Sequence, residues 1–335
     1  MSYNTRVSSF SYLPSPSELK ERFPLSQSAQ AFVEHSRQRV RDILHGVSKD
    51  KLIIVGPCSV HDPVAVLEYA QKVKAFAASH SDLCVLLRVY FEKPRTSVGW
   101  PGFTMDPNCD GSFDVSGGLS DTRHLLVQLC EAGVACATEM LSLLLPQYTA
   151  DCISFVAIGA RTVESQPHRE LVSGLSMPCG FKNDSFGDVD VSINAMDSAA
   201  TPKGFIGCDE DGKIVGVQTA GNDDTIVILR GSYANGPNYM DAQAVVEKLV
   251  ARNKRPLVIV DAAHGNSGKN IDTQEEVISY MCEHMEHVAG LMIESFLVDG
   301  SQKSPDTYGQ SITDPCLSWE RVEPLLVKLT SLQDP

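Results

Sequence analysis

The segment Arg88-Val-Tyr-Phe-Glu-Lys-Pro-Arg-Thr96 runs from an apolar stretch straight into a cluster of cations. The 335-residue chain carries a formal net charge of -14, so background composition does not supply such a cluster. Arg and Lys gathered where a buried strand emerges pair naturally with phosphate and carboxylate. The pattern recurs: the residues just past successive apolar runs are Cys58, Arg88, Glu139, Arg161, Lys182, Arg230, Asp261 with His264, and Glu294, with Asp314 in a later loop. They sort into two sets. Arg88, Lys93, Arg95, Arg161, Lys182 and Arg230 are cations whose mutual repulsion calls for an anionic ligand of two or more charges. Cys58, His264, Glu294 and Asp314 combine a thiol, an imidazole and two carboxylates, a donor set for a divalent metal. Zinc, iron, manganese and cobalt all fit, whereas calcium would not draw on the thiolate.

Each residue alone has an ordinary reading. Cys58 could be a small buried apolar residue, His264 a loop residue or helix cap, Glu294 and Asp314 solvated acids, and Arg161 a partner of Glu164. Their coincidence at strand ends points to chemistry, because unpaired buried charge is costly. Other signals are weaker. Gly265-Asn-Ser-Gly-Lys269 lacks the spacing of a nucleotide-binding phosphate loop and is set aside. Gly117-Gly118 reads as a flexible turn before a helix, and Trp100 and Trp319 as packing residues. His124, His168, His284 and His287 fall on helical stretches and read as surface or core.

Eight short apolar runs supply the frame: Leu52–Gly56, Val85–Val89, Val134–Thr138, Ser154–Ile158, Cys179–Phe181, Ile226–Leu229, Leu257–Val260 and Leu291–Ile293. Helix-like segments separate most of them, and continuous apolar strands are those covered on both faces. This alternation predicts an α/β fold, a (β/α)8 TIM barrel, with a doubly wound open sheet as the alternative. Two helices, Ser17–Phe23 and Ser26–Leu44, precede the first strand after an extended arm over 1–15. The expected organisation is therefore an N-terminal extension over 1–48 for assembly or regulation, and a catalytic barrel over 49–335. A β-hairpin turning at Asp211-Gly212 interrupts the barrel rhythm at about 203–220.

A hydrophobic content of 43% over this length can bury one large core. The acidic balance argues against nucleic acid as a partner. No run reaches 18 apolar residues, so no membrane span is expected. Ten cysteines without a Cys-x-x-Cys pair, and an N-terminus without a long apolar run, suit a reducing cytoplasmic setting.

Long motifs carry a resemblance: Ile54-Val-Gly-Pro-Cys-Ser-Val-His-Asp-Pro63, Arg88 to Trp100, Ala157-Ile-Gly-Ala-Arg-Thr-Val-Glu-Ser-Gln166, His168-Arg-Glu170, Gly180-Phe-Lys-Asn183, Ile228-Leu-Arg-Gly231 and Ser311-Ile-Thr-Asp314. From about Leu19 onward the chain resembles the type I 3-deoxy-D-arabino-heptulosonate-7-phosphate (DAHP) synthases of the feedback-regulated subclass. The resemblance implies condensation of phosphoenolpyruvate with D-erythrose 4-phosphate, the first step of the shikimate pathway. It implies Cys58, His264, Glu294 and Asp314 as metal ligands, and Arg88, Arg161, Lys182, Arg230 and the Ala160 amide as holding phosphoenolpyruvate. Glu139 would contact the enolpyruvyl group, Lys93 would lie between both substrates, and Pro94, Arg95, Thr96 and Asp314 would receive erythrose 4-phosphate. A relative acting on another aldose phosphate, such as an octulosonate 8-phosphate synthase, and a non-catalytic barrel are the competing readings.

The resemblance further implies a homodimer or homotetramer and an aromatic amino acid effector at Pro146, Gln147, Ser176, Phe205 and Gly207. Glycine at 207 favours tyrosine over phenylalanine. Two departures stand out: Asp184-Ser-Phe-Gly187 where the family commonly has Gly-Thr-x-Gly, and Ala263 where it commonly has serine before the histidine.

Overall fold

Serine and asparagine or aspartate caps start most of the long helices. Ser15 caps α1 (Pro16–Arg22) through a reciprocal box with Glu18, and Ser26 caps α2 (Gln27–Leu44). The computed structural model describes residues 3–330. Met1, Ser2 and residues 331–335, assigned above to the extension and to the end of the barrel, lie outside them. After α2 come β1 (Lys51–Gly56), α3 (Pro63–Ser79), β2 (Leu83–Arg88), α4 (Val115–Glu131) and β3 (Cys136–Glu139). They are followed by the short α5 (Pro146–Thr149), β4 (Phe155–Ile158), α6 (Gln166–Val172), β5 (Cys179–Lys182) and α7 (Asp190–Ala199). The hairpin of β6 (Gly204–Cys208) and β7 (Ile214–Gln218) precedes β8 (Thr225–Leu229), α8 (Ala242–Ala251) and β9 (Val258–Asp261). The short α9 (His264–Ser267), α10 (Ile271–Glu283) and β10 (Val288–Phe296) follow. Three short strands, β11 (Val298–Ser301), β12 (Gln310–Ser311) and β13 (Leu317–Ser318), lead into α11 (Trp319–Thr330).

Closure, which counting strands could not decide, is settled by register. β1 pairs in parallel with β2 on one side and with β10 on the other, from Leu52↔Gly290 to Gly56↔Glu294. The strands in between run β2-β3-β4-β5-β8-β9, all parallel, so eight strands close into a TIM barrel and the hairpin stays outside the sheet. Alternation along each strand divides the core. Leu52, Ile54, Leu86, Phe155, Ile228 and Met292 fill the interior, whereas Ile53, Val55, Leu87, Val156, Val227 and Ile293 pack outward against the helices. Val40, Ile43 and Leu44, at the end of α2, join the interior cluster and so plug the barrel at the end away from the strand termini.

Two expectations are corrected, and one helix is added. Gly117-Gly118 is not a loop but the first turn of α4, where Asp114 Oδ1 accepts the Gly117 amide at 2.9 Å. A side chain at Gly118 would strike the Phe103 and Thr104 carbonyls, so glycine there permits a close backbone approach. His284 is the C-cap of α10 and His287 lies beyond it with φ 60°, so neither stands on a helix. The helix α11 was not anticipated, because Pro324 sits inside it, although Val322, Leu325, Leu326 and Leu329 keep helical spacing. Among the described residues no helix is long and apolar enough to cross a membrane.

If α2 is the plug, Ile43→Ala should lower the unfolding free energy by about 2–5 kcal/mol, as for other buried aliphatic truncations. Urea denaturation measures this; a loss under about 1 kcal/mol would show that the barrel floor does not depend on it.

Candidate active site

The C-terminal ends of the strands open into a cleft of about 210 Å³. Arg88, Lys93, Pro94, Arg95, Thr96, Glu139, Ala160, Arg161, Lys182, Arg230, His264 and Asp314 all line it, so residues spread over more than 220 positions meet in one place. Cys58 and Glu294 lie beneath its floor, fully buried. Gly159 is required where it is, because a Cβ there would overlap the Glu139 carboxylate. Arg161 turns to Thr96, whose Oγ1 accepts from its Nε at 3.1 Å and its Nη2 at 3.0 Å, rather than pairing with Glu164.

Buried charges are compensated inside the site. Arg88 lies 3.0 Å from Glu294 Oε1, donates to the Pro57 carbonyl, and stacks over the Tyr90 ring at 3.6 Å. Lys182 donates to Asp261 Oδ2 at 2.7 Å, and the same oxygen is 2.9 Å from His264 Nδ1. Burial opposes ionisation of Asp261, yet His264 and the Lys182 ammonium hold it well below the usual carboxylate range. Burial pushes His264 down against the pull of Asp261, favouring the neutral imidazole that a metal requires.

Ligand atoms of Cys58, Glu294 and Asp314 lie within 4.8 Å of one another, a candidate metal-binding cluster. His264 stands at its edge, Nε2 being 3.5 Å from Glu294 Oε1. That Glu294 oxygen is buried and ion-paired with Arg88 but accepts no well-formed hydrogen bond, which leaves it able to take a metal as well. Lys93 Nζ sits 2.7 Å from Cys58 Sγ and 3.4 Å from Asp314 Oδ2, so a monovalent cation already occupies the electrostatic position. The thiol, carboxylate and imidazole donors fit a transition-metal or zinc ion. Burial and Glu294 push the Cys58 thiol up, so a metal must displace its proton.

Several contributors escaped the sequence reading. Asn183, Asn238 and Asn266 knit the loops after β5, β8 and β9. Asn183 Oδ1 accepts the Arg230 amide at 2.8 Å, and Asn266 Nδ2 donates to the Leu229 and Asp261 carbonyls at 3.0 and 2.8 Å. Gly231, with φ 68°, lets that loop pass against the Asn266 backbone. Lys269, set aside with its motif, places Nζ 2.8 Å from Asp314 Oδ1. Tyr233 also lines the cleft. The two departures have local explanations. Asp184 Oδ1 accepts the amides of Phe186 and Asp188 at 2.9 and 2.8 Å, so the acid closes its own loop. Ala263 leaves His264 in contact with Asp261, whose other oxygen accepts the Ala263 amide at 3.0 Å.

The five expected effector residues lie away from the cleft lining: Pro146 and Gln147 on α5, Ser176 before β5, and Phe205 and Gly207 on β6. Gly207 faces Val217, whose Cγ2 would stand 2.9 Å from a Cβ at that position.

A closed parallel barrel whose strand ends converge on a polyanion cleft, above a thiol–carboxylate cluster, defines a TIM-barrel enzyme for phosphorylated substrates. Residues 22–326 match the model of the DAHP synthetase I family, and the chain belongs to that family. It is 46% identical over 335 residues to the Tyr-sensitive phospho-2-dehydro-3-deoxyheptonate aldolase of Escherichia coli (strain K12), covering 96% of this chain and 94% of the relative. The Phe-sensitive enzyme of the same organism is 42% identical, covering 97% and 96%. A solved phospho-2-dehydro-3-deoxyheptonate aldolase from Francisella tularensis SCHU S4 superposes with a TM-score of 0.94 at 41% identity, covering 97% of this chain and 98% of that one.

Glu92 offers a pH test of the loop next to Lys93. Its Oε2 accepts the Ser142 amide at 3.1 Å, tying the loops after β2 and β3, and burial raises its carboxyl to about 7. A carboxyl raised on folding binds more protons in the native state, so stability falls as pH rises from about 4.5 to about 7. Glu92→Gln should therefore stabilise the protein at pH 8 relative to the parent, by up to about 3 kcal/mol, with the gain vanishing near pH 4.5. Paired thermal melts at the two pH values check this, and an equal effect at both would contradict it.

Proposed function

We infer that this protein is a DAHP synthase: it condenses phosphoenolpyruvate with D-erythrose 4-phosphate and water, giving DAHP and phosphate. One observation carries the reading: seven cations, Lys93 and Lys269 among them, surround a single cleft above the Cys58–Glu294–Asp314 cluster. Phosphoenolpyruvate is a multiply charged anion, and Arg88, Arg161, Lys182, Arg230 and the Ala160 amide are its proposed holders. Arg95 and Thr96, with Pro94 stiffening their approach, receive the phosphate of the aldose. Cys58, His264, Glu294 and Asp314 would hold the divalent metal, which when bound polarises the aldehyde carbonyl.

As C3 of the enol attacks the aldehyde, its oxygen must gain a proton. Burial alone would lower Lys93, but Cys58, Glu294 and Asp314 outweigh it and keep Lys93 well above its ordinary value. Lys93 is thus a charged donor held within the cleft, and it protonates that oxygen. Water then adds at C2, and the C–O bond to phosphate breaks. Glu139 is the cleft-lining carboxylate outside the metal cluster, and it takes the proton from that water.

The helices over 1–48 and the hairpin at about 203–220 serve assembly and regulation in this reading. The hairpin exposes Ile206 and Ile214, and the arm before α1 exposes Phe10 and Tyr12, apolar surface that suits a homodimer or homotetramer. Tyrosine is the proposed effector, bound near Pro146, Gln147, Ser176, Phe205 and Gly207; the crowding at Gly207 supports a glycine there. Ten free cysteines fit a reducing, cytoplasmic setting.

Phosphate release against a panel of aldose phosphates, with metal and after chelation, tests the reaction. Erythrose 4-phosphate should be the preferred acceptor, and chelation should stop turnover. Cys58→Ala and His264→Ala should each lower kcat by more than about 100-fold while circular dichroism stays unchanged. Chelator-resistant turnover, or none with any acceptor, would sink the assignment. For regulation, tyrosine should inhibit where phenylalanine does not, and Phe205→Ala should relieve inhibition without slowing the uninhibited rate. Light scattering should give a mass of two or four chains, falling towards one in the Ile206→Asp/Ile214→Asp double variant.

A further inference from the structure

The buried cations of the cleft differ in how they are held. Arg88 lies against Glu294, Lys182 against Asp261, and Lys93 against Asp314. Arg230 is just as buried, yet among the described residues it has no carboxylate partner. Its Nη1 donates to the Gly231 carbonyl at 3.2 Å, and its guanidinium lies 5.1 Å from the centroid of the Tyr233 ring. Lys269 Nζ lies 5.5 Å from the same centroid and 2.8 Å from Asp314 Oδ1. A continuous series, Asp314–Lys269–Tyr233–Arg230, thus joins the acidic side of the site to its anion-binding side.

The ring is delivered by a rigid turn. Ser232 and Gly236 exchange backbone hydrogen bonds at 2.8 and 3.0 Å, and Ser232 Oγ accepts the Ala234 amide at 3.1 Å. The turn is clamped to the neighbouring loop, with Ser232 Oγ donating to the Ser185 carbonyl at 3.0 Å and Asn235 Nδ2 to the Phe186 carbonyl at 2.7 Å. That loop is the one Asp184 closes. The Tyr233 hydroxyl makes no hydrogen bond to any described residue, so the ring face is what the turn presents.

We propose that Tyr233 is a positioning residue for phosphoenolpyruvate binding: its ring orients Arg230, with Lys269 as the second cation on the same ring. This rests on the phosphoenolpyruvate reading given above. The physical reason for an aromatic partner is charge. A carboxylate would fix the guanidinium equally well but cancel the charge that an anionic ligand needs, whereas the ring attracts the cation and leaves its charge intact.

The test is calorimetric titration of phosphoenolpyruvate into the full chain without aldose, alongside thermal melts. Tyr233→Phe keeps the ring and should bind within about twofold of the parent, whereas Tyr233→Ala should weaken binding roughly two- to fivefold. Tyr233→Glu should weaken it further than Tyr233→Ala, by pairing with Arg230. In turnover, the KM for erythrose 4-phosphate should stay unchanged in Tyr233→Ala. If Tyr233→Ala melts early, Tyr233→Leu, which keeps bulk without a π face, takes its place with the same expectation. A parent that binds no phosphoenolpyruvate would overturn the functional reading and this inference with it. A parent that binds, with Tyr233→Ala binding equally well, would overturn this inference alone, as would equal losses in the Phe and Ala variants.

Discussion

Compensation of buried charge at one end of a closed barrel is the constraint on which the rest of this structure depends. An ion taken out of water costs several kcal/mol even after relaxation, and removing one member of a buried pair typically costs about 3–5 kcal/mol. Arg88, Lys182, Asp261 and Glu294 are all nearly inaccessible. They are tolerated because the barrel gathers opposite charges at its strand ends, Arg88 against Glu294 and Lys182 against Asp261. Glu294 faces Gly56 across the closing β1–β10 pair, Arg88 ends the next strand, and Asp261 faces Met292 on β10. Gly56, on the rung beside Glu294, lets the Arg88 backbone pack close, since a Cβ there would strike the Arg88 carbonyl and amide. Barrel closure and the active site are therefore one problem: a one-residue slip between β1 and β10 would move Glu294 off its rung and strand a guanidinium.

The same constraint explains why the cleft remains receptive to anions. Compensation is arranged mostly below and beside the cations, by Glu294, Asp261 and Asp314, and one cation, Arg230, is braced by a ring instead. The site is neutralised enough to fold and positive enough to bind. Lys93 illustrates the balance, since its ammonium is shared between Cys58 and Asp314, two of the residues proposed to hold a metal.

What was legible in the sequence was what short-range physics writes there. Continuous apolar runs gave all eight barrel strands, because strands covered on both faces have no polar alternation to blur them. The residue after each run gave the cleft, because a barrel delivers strand ends to one rim. Closure was not legible, since it lives in the β1–β10 register between residues some 240 positions apart. The helix α11 was hidden by Pro324, and the start of α4 by two glycines whose role is tertiary, to admit the Phe103–Thr104 backbone. Asn183, Asn238 and Asn266 carry no local signature at all; their work is to satisfy loop amides and carbonyls from different strands. Lys269 was discarded because its motif failed as a phosphate loop, although the residue itself reaches Asp314 by way of positive φ at both Gly268 and Lys269.

The departures from the family motifs point the same way. Asp184 stands at a place where the family commonly has glycine, and its carboxylate ties down the loop that a flexible residue would leave to its neighbours. That loop clamps the turn carrying Tyr233, and Tyr233 braces Arg230. An acid outside the cleft lining is thus connected to a cation inside it through backbone hydrogen bonds and one aromatic face. The strand-end residues fix which reaction the barrel performs, because their charges have no alternative positions. The loop after β5 carries one of the departures, and its hydrogen bonds to the turn after β8 are what link it to the anion site.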